Sequence, residues 1–152
     1  MTIYKATISH LETVKNITVR TINAVYPHYY PSGAVDFFLS HHNDCNIHSD
    51  IVNGNVYILN DADNITVGTV TVKANEICRL FVFPEYQGKG YGRELLNYAE
   101  KKISEKYSSI ILDASLPAKA IYHKRGYVPT DYHSIETENG DYLCYDVMEK
   151  KL

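Results

Sequence analysis

Val82-Phe83-Pro84-Glu85-Tyr86-Gln87-Gly88-Lys89-Gly90-Tyr91-Gly92 joins two different apolar patterns, and its reading decides the fold. Upstream, Ile77 to Phe83 is an apolar run of the kind a buried strand shows. Downstream, Leu95, Leu96, Ala99 and Ile103 recur at helical spacing, with Glu94, Lys101, Lys102 and Glu105 left outside. Strand, glycine turn, helix is a geometry that binds phosphate. Glycines let an anion approach the backbone, and the free N–H groups and dipole of the helix start point at it. Lys89 and Arg93 add positive charge. Two better-known phosphate loops do not fit. A P-loop needs Gly-Lys followed by Ser or Thr, and Gly88-Lys89 is followed by Gly90. A dinucleotide fingerprint needs G-x-G-x-x-G, whereas the spacing here is G-x-G-x-G. On spacing alone, a connection that only turns the chain remains the competing reading.

Working outward, residues 2–8 alternate loosely as a first strand. Ser9-His10-Leu11-Glu12 has capping-box spacing, and Leu11, Val14, Ile17, Ile22 and Val25 then repeat at helical period. That helix should stop before Pro27. Residues 26–33 read as a loop, 34–42 as a short helix, and 43–54 as polar and irregular. Short strands are expected over 56–59, 65–72 and 109–112. Ser115 can cap a helix that carries Ala118, Ile121 and Tyr122 and ends at Gly126 as the C′ residue. Asn139-Gly140, flanked by residues 131–137 and 142–148, signals a hairpin. The pattern is a single α/β (α+β) domain over 1–152 with a mixed sheet.

The chain has 152 residues, 45% hydrophobic and 22% charged, which excludes disordered and fibrous classes. Its formal charge of −3 argues against broad nucleic-acid or anionic-membrane binding. No apolar run is long enough to span a bilayer, and Met1-Thr2-Ile3-Tyr4-Lys5 lacks the apolar stretch of a signal peptide. Three widely spaced cysteines, Cys45, Cys78 and Cys144, read as reduced thiols of a cytoplasmic protein.

The sequence is similar to a known family at two segments. Gln87-x-x-Gly90-x-Gly92 fits the Q/R-x-x-G-x-G/A motif of the GNAT superfamily of acetyl-CoA-dependent N-acetyltransferases. Ala118-Lys119-Ala120-Ile121-Tyr122-His123-Lys124-Arg125-Gly126-Tyr127 resembles its A-x-x-x-Y-x-x-x-G-F segment. The resemblance implies a GNAT fold with a mostly antiparallel, splayed central sheet flanked by helices. It implies acetyl-CoA as co-substrate, with no metal. Backbone groups of Gln87, Gly88, Lys89, Gly90, Tyr91 and Gly92 would bind the coenzyme pyrophosphate, and Leu80, Phe81 and Val82 would pair with the pantetheine arm. Ser115 stands where relatives often carry an asparagine that contacts the cofactor.

Acetyl transfer to an amine needs a base for the ammonium and an acid for the departing thiolate. Tyr122 matches the family's usual acid, its phenol being a proton donor, against the plainer reading of a packed aromatic. Glu76, at the start of the strand before the loop, is the candidate base, directly or through water, against a solvated strand-end carboxylate. Tyr26, His28, Tyr29 and Tyr30 form an aromatic loop that the resemblance places at the acceptor pocket, where aromatic faces can hold an ammonium. His133 and Tyr142 are weaker candidates for the same pocket.

His41, His42, Cys45 and His48 are metal-ligand types, but their spacing is no recognised zinc signature, and a polar loop is the plainer reading. Cys78 reads as packing, and no G-x-S-x-G elbow supports covalent catalysis. The expected acceptor is a small-molecule or peptide amine, its identity open between small amine, amino sugar and protein amine. The rival is a catalytically silent acyl-CoA sensor. A homodimer through the terminal strands is compatible with the pattern without being established by it.

Overall fold

The computed structural model describes residues 1–152. In chain order it runs β1 (Thr2–Lys5), α1 (Leu11–Val25), α2 (Ser32–His41), α3 (Asp44–Val52), β2 (Val56–Asn60), β3 (Thr66–Lys73), β4 (Glu76–Val82), α4 (Tyr91–Ser104), β5 (Ser109–Ala114), α5 (Leu116–Lys124), β6 (Val128–Glu136) and β7 (Tyr142–Lys151). The strands form one seven-stranded sheet in the order β1-β2-β3-β4-β5-β7-β6. Every neighbouring pair is antiparallel except β4 and β5.

The β4–β5 pair positions everything functional. Along β3 and β4 the register slips, Thr71 facing Arg79 but Val72 facing Ile77, which leaves Cys78 as an extra residue. Such a bulge bends its strand and re-aims the residues beyond it. β4 meets β5 only at Glu76 opposite Ile111, with the Ile111 N–H donating to the Asn75 carbonyl at 3.0 Å. Past that point the strands part, and a gap opens in the middle of the sheet.

Successive strand residues face opposite sides, and β4 shows it. Val82 joins a core with Leu95, Leu96, Ala99 and Ile103 of α4. Its neighbour Phe81 joins Ile17, Ile22, Tyr26 and Leu143 under α1 and α2. A smaller cluster seats α3 through Ile47 and Ile51 on Val14, Val56 and Ile58.

Two local expectations are corrected. Residues 43–54 are not irregular: they contain α3, whose N-cap Asn43 accepts a bond from the Asn46 N–H at 2.9 Å. Only Ile47, Asp50 and Ile51 of this helix are buried, too narrow a stripe to stand out among polar residues. Ser9 does not cap α1. Chain reversal starts at Thr7, whose N–H donates to the His10 ring at 3.0 Å around one turn of 3₁₀ helix. α1 then begins at Leu11 without a side-chain cap and ends at Val25, before Pro27.

α3 is tied to the sheet by a buried ion pair. Asp50 accepts from Arg79 at 3.1 Å and from Lys73 at 2.6 Å. The Arg79 guanidinium also donates to the Thr71 hydroxyl at 2.9 Å and to His42 Nδ1 at 3.2 Å. No helix is long and apolar enough to cross a membrane.

Candidate active site

The glycine turn lies where the sheet opens. Gly90 is the N-cap of α4 at φ +90°, a conformation glycine adopts without a Cβ penalty. It aims the first-turn N–H groups of α4 into the gap, where no helical carbonyl meets them. Gln87 acts through its side chain: Nε2 donates to the Val82 carbonyl at 3.0 Å, and the Thr21 hydroxyl donates to the same oxygen at 3.0 Å. The turn is thereby pinned to the strand end.

Two cavities fill the gap. The larger, about 560 Å³, is lined by Leu80, Phe81, Val82, Gln87, Gly88, Gly90 and Gly92, with Arg93 and Lys124 also on its wall. A side chain on Gly88 would meet nothing within 4 Å, so that position opens directly onto the cavity. Lys89 and Tyr91 do not line it. Lys89 lies over the Tyr86 ring at 5.0 Å, and Tyr91 packs against the α4 core. The smaller cavity, about 290 Å³, is walled by Phe37, Phe38, Ile135, Leu143 and Tyr145 and carries Asp113. The two share Tyr26, Leu80, Phe81, Ser115, Ala118 and Tyr122.

Tyr122 stands at this junction for a backbone reason. Gly126, at φ +90°, ends α5 so that its N–H donates to the His123 carbonyl at 3.1 Å and the Tyr127 N–H to the Tyr122 carbonyl at 3.1 Å. This is a Schellman cap, with the usual apolar contact between its first and last residues: the Tyr122 and Tyr127 rings meet edge-on at 5.6 Å. The Tyr-x-x-x-Gly-Tyr spacing is thus a device that fixes Tyr122. Burial alone pushes its phenol up to about 12, so the group stays protonated at neutral pH.

Ser115 occupies the N-cap position of α5, but its side chain makes no capping bond and lines both cavities instead. Of the aromatic loop, Tyr26 alone lines the cavities. The buried Tyr30 hydroxyl accepts from the Leu116 N–H at 2.7 Å and holds the start of α5. Tyr29 is exposed, and neither it nor His28 lines either cavity.

Glu76 also lines neither cavity. It sits on the last paired residue before the gap, its carboxyl raised by burial and then by Asp113. Asp113, near the end of β5, is the carboxylate of the second cavity; it stays open to solvent, partial desolvation raises its pKa, and His133 and His41 act to lower it. A charged residue closing the apolar run Ile110-Ile111-Leu112 was the available sequence signal for it. Phe37 and Phe38 come from α2 and Tyr145 from β7, and no local spacing marks them as one wall. Tyr142 is exposed, and neither it nor His133 lines a cavity.

The His41, His42, Cys45, His48 group is dispersed. His41 and His42 line the second cavity, Cys45 is exposed, and no three His, Cys, Asp or Glu residues are placed to hold a metal ion. Cys78 lines the second cavity, but burial drives its thiol up to about 12, which removes thiolate nucleophilicity.

A glycine turn thus stands at the gap of a splayed mixed sheet, with Tyr122 between two connected cavities. The family model for the acetyltransferase (GNAT) domain matches residues 25–151, and the chain belongs to that family of acyltransferases. No curated protein matches the chain at a significant level. Among solved structures it is similar to a GCN5-related N-acetyltransferase from Rhodopseudomonas palustris, with 22% identity, a TM-score of 0.89, and 99% of this chain and 95% of that one covered. It is similar to the PaiA N-acetyltransferase of Thermoplasma acidophilum in complex with coenzyme A, with 24% identity, a TM-score of 0.74, and coverage of 99% and 98%. A phosphinothricin acetyltransferase from Sinorhizobium meliloti in complex with AcCoA aligns at 16% identity and a TM-score of 0.73, over 99% and 88% of the two chains.

Proposed function

We propose that this protein transfers the acetyl group of acetyl-CoA directly to a primary amine. One observation carries the reading: two cavities meet at the Tyr122 phenol, which burial keeps protonated, with Tyr26 shared beside it. The larger suits the coenzyme. Backbone N–H groups of the turn from Gly88 to Gly92 receive the pyrophosphate, and the β4 edge around Leu80, unpaired with β5, is free to bond the pantetheine amides, the Val82 carbonyl being taken by Gln87 and Thr21. The smaller suits the acceptor.

Attack by the neutral amine forms the N–C bond at the thioester carbonyl. Collapse breaks the C–S bond, and Tyr122 protonates the departing sulfur. The phenolate regains its proton from the acylated nitrogen, so the net release is one proton from the original ammonium. No group in the gap calls for an acyl-enzyme, since the Cys78 thiol is held protonated. The three free cysteines fit a reducing compartment such as the cytoplasm.

The test is thiol release from acetyl-CoA against a panel of amines, amino sugars and peptides. Amine-dependent release is expected. Binding of acetyl-CoA without release from any acceptor would overturn transfer. Gly90→Val probes the turn: the left-handed backbone costs a side chain about 1–2 kcal/mol, and a bulky group crowds the anion site. Coenzyme A affinity should fall at least tenfold by titration calorimetry. Unchanged affinity would remove the turn from the site.

A further inference from the structure

The second cavity carries a specificity, and this inference rests on the transferase reading above. We propose that the acceptor is a small primary amine with an aromatic or branched apolar body and no carboxylate, held at its ammonium by Asp113, which also takes its proton.

The argument is one of charge and wall chemistry. Phe37 and Phe38 come from α2, Ile135 from β6, and Leu143 and Tyr145 from β7, all turned into one space of about 290 Å³. That volume holds a small organic molecule and not a folded protein surface. The aromatic and aliphatic side chains of α2, β6 and β7 give an apolar body its contacts.

Of the three basic side chains that line the cavity, Arg79 and His42 are buried and engaged, while His41 is exposed with its ring stacked on Phe37. Arg79 lines it, yet all three of its guanidinium nitrogens already donate within the protein, to His42, Thr71 and Asp50. The Arg79 side chain is only 3% exposed, so it presents no open fork to a substrate carboxylate. His42 accepts at Nδ1 from Arg79, which places its own proton on Nε2. Burial, then Arg79, lowers its pKa to about 3, so it is a neutral donor and supplies no charge. That leaves Asp113 as the acidic side chain lining the space.

Asp113 precedes Ala114 and Ser115 at the mouth of the gap, and Ser115 also lines the coenzyme cavity. An ammonium on Asp113 therefore enters beside the junction where Tyr122 stands. Glu76 is half-buried and lines neither cavity. The groups facing Asp113 are His41 from α2, Glu76 from β4, His133 from β6 and Tyr145 from β7. The proton passes from the ammonium to the Asp113 carboxylate and then to solvent, leaving the lone pair free for attack.

The experiment compares 2-phenylethylamine with phenylalanine, glucosamine and an alanine-starting peptide at saturating acetyl-CoA. The expected kcat/KM for 2-phenylethylamine exceeds each of the others at least tenfold. Asp113→Asn should lower it about 10²-fold, leave the KM for acetyl-CoA unchanged, and shift the rate to rise with pH as solvent deprotonates the amine. Calorimetry of 2-phenylethylamine on the coenzyme A complex reads the ammonium contact without turnover, and Asp113→Asn should weaken it at least tenfold. Faster turnover of glucosamine, peptide or phenylalanine would overturn this assignment while leaving the transferase intact. An Asp113→Asn enzyme with wild-type rate, pH profile and amine affinity would remove Asp113. Release from no amine at all would instead overturn the transferase reading itself.

Discussion

Tyr122→Phe lowers kcat by about 10²-fold or more, the usual contribution of a positioned acid, and leaves coenzyme A affinity within twofold. The substitution removes one oxygen and little else. The ring still packs on Tyr127 at 5.6 Å, and the Schellman bonds use only backbone atoms. Stability should therefore hold. With its pKa at about 12, the phenol is protonated throughout the working range, so its titration does not shape the pH profile below that value. Equal falls in kcat and in kcat/KM for the amine would mark an interaction made only in the transition state. A kcat within threefold of wild type, on an acceptor with good turnover, would leave Tyr122 as a packed aromatic.

Asp50→Ala destabilises the fold by about 3–5 kcal/mol, the cost of leaving one half of a buried ion pair uncompensated. The Arg79 and Asp50 side chains are only 3% and 4% exposed, so water does not screen the orphaned guanidinium. For a chain of this length the loss corresponds to a fall in Tm of roughly 10 °C. Chemical denaturation with fluorescence or circular dichroism checks it. Arg79→Met combined with Asp50→Leu should recover much of the loss, because two apolar groups remove the uncompensated charge. A single-variant loss below about 1 kcal/mol would show that the pair is not isolated from solvent. Because Arg79 also orients His42 at 3.2 Å, the single variant loosens one wall of the acceptor cavity as well.

What was legible in the sequence was local. Gly90 and Gly126 each occupy a left-handed position that short-range spacing betrays, and each fixes a functional element beside it. The two segments that carry them lie on either side of the gap. What was not legible depended on long-range meetings. Arg79 sits in an apolar run, and its partner Asp50 lies 29 residues away on a helix whose buried stripe is two apolar residues wide. Phe38, Asp113 and Tyr145 belong to three elements and share no spacing. Glu76 and the His28–Tyr30 loop were read from their place along the chain, and chain order does not report which way a side chain turns. Tyr30 turns inward to hold Leu116, while Tyr29 turns to solvent.

The single bridge between β4 and β5 also bears on how long the protein survives. Two half-sheets abut there across a seam with almost no ladder of its own. On the proposed function, the pantetheine arm lies along that seam and completes it, so the co-substrate works as a removable stitch. Mass action then ties folding to supply: a hundredfold excess over Kd adds about 2.7 kcal/mol. Amide exchange along β4 would slow as acetyl-CoA accumulates and quicken as it runs short. Proteolysis that samples the opened seam would follow the same trend. The abundance of such an enzyme would then register the acetyl supply it consumes.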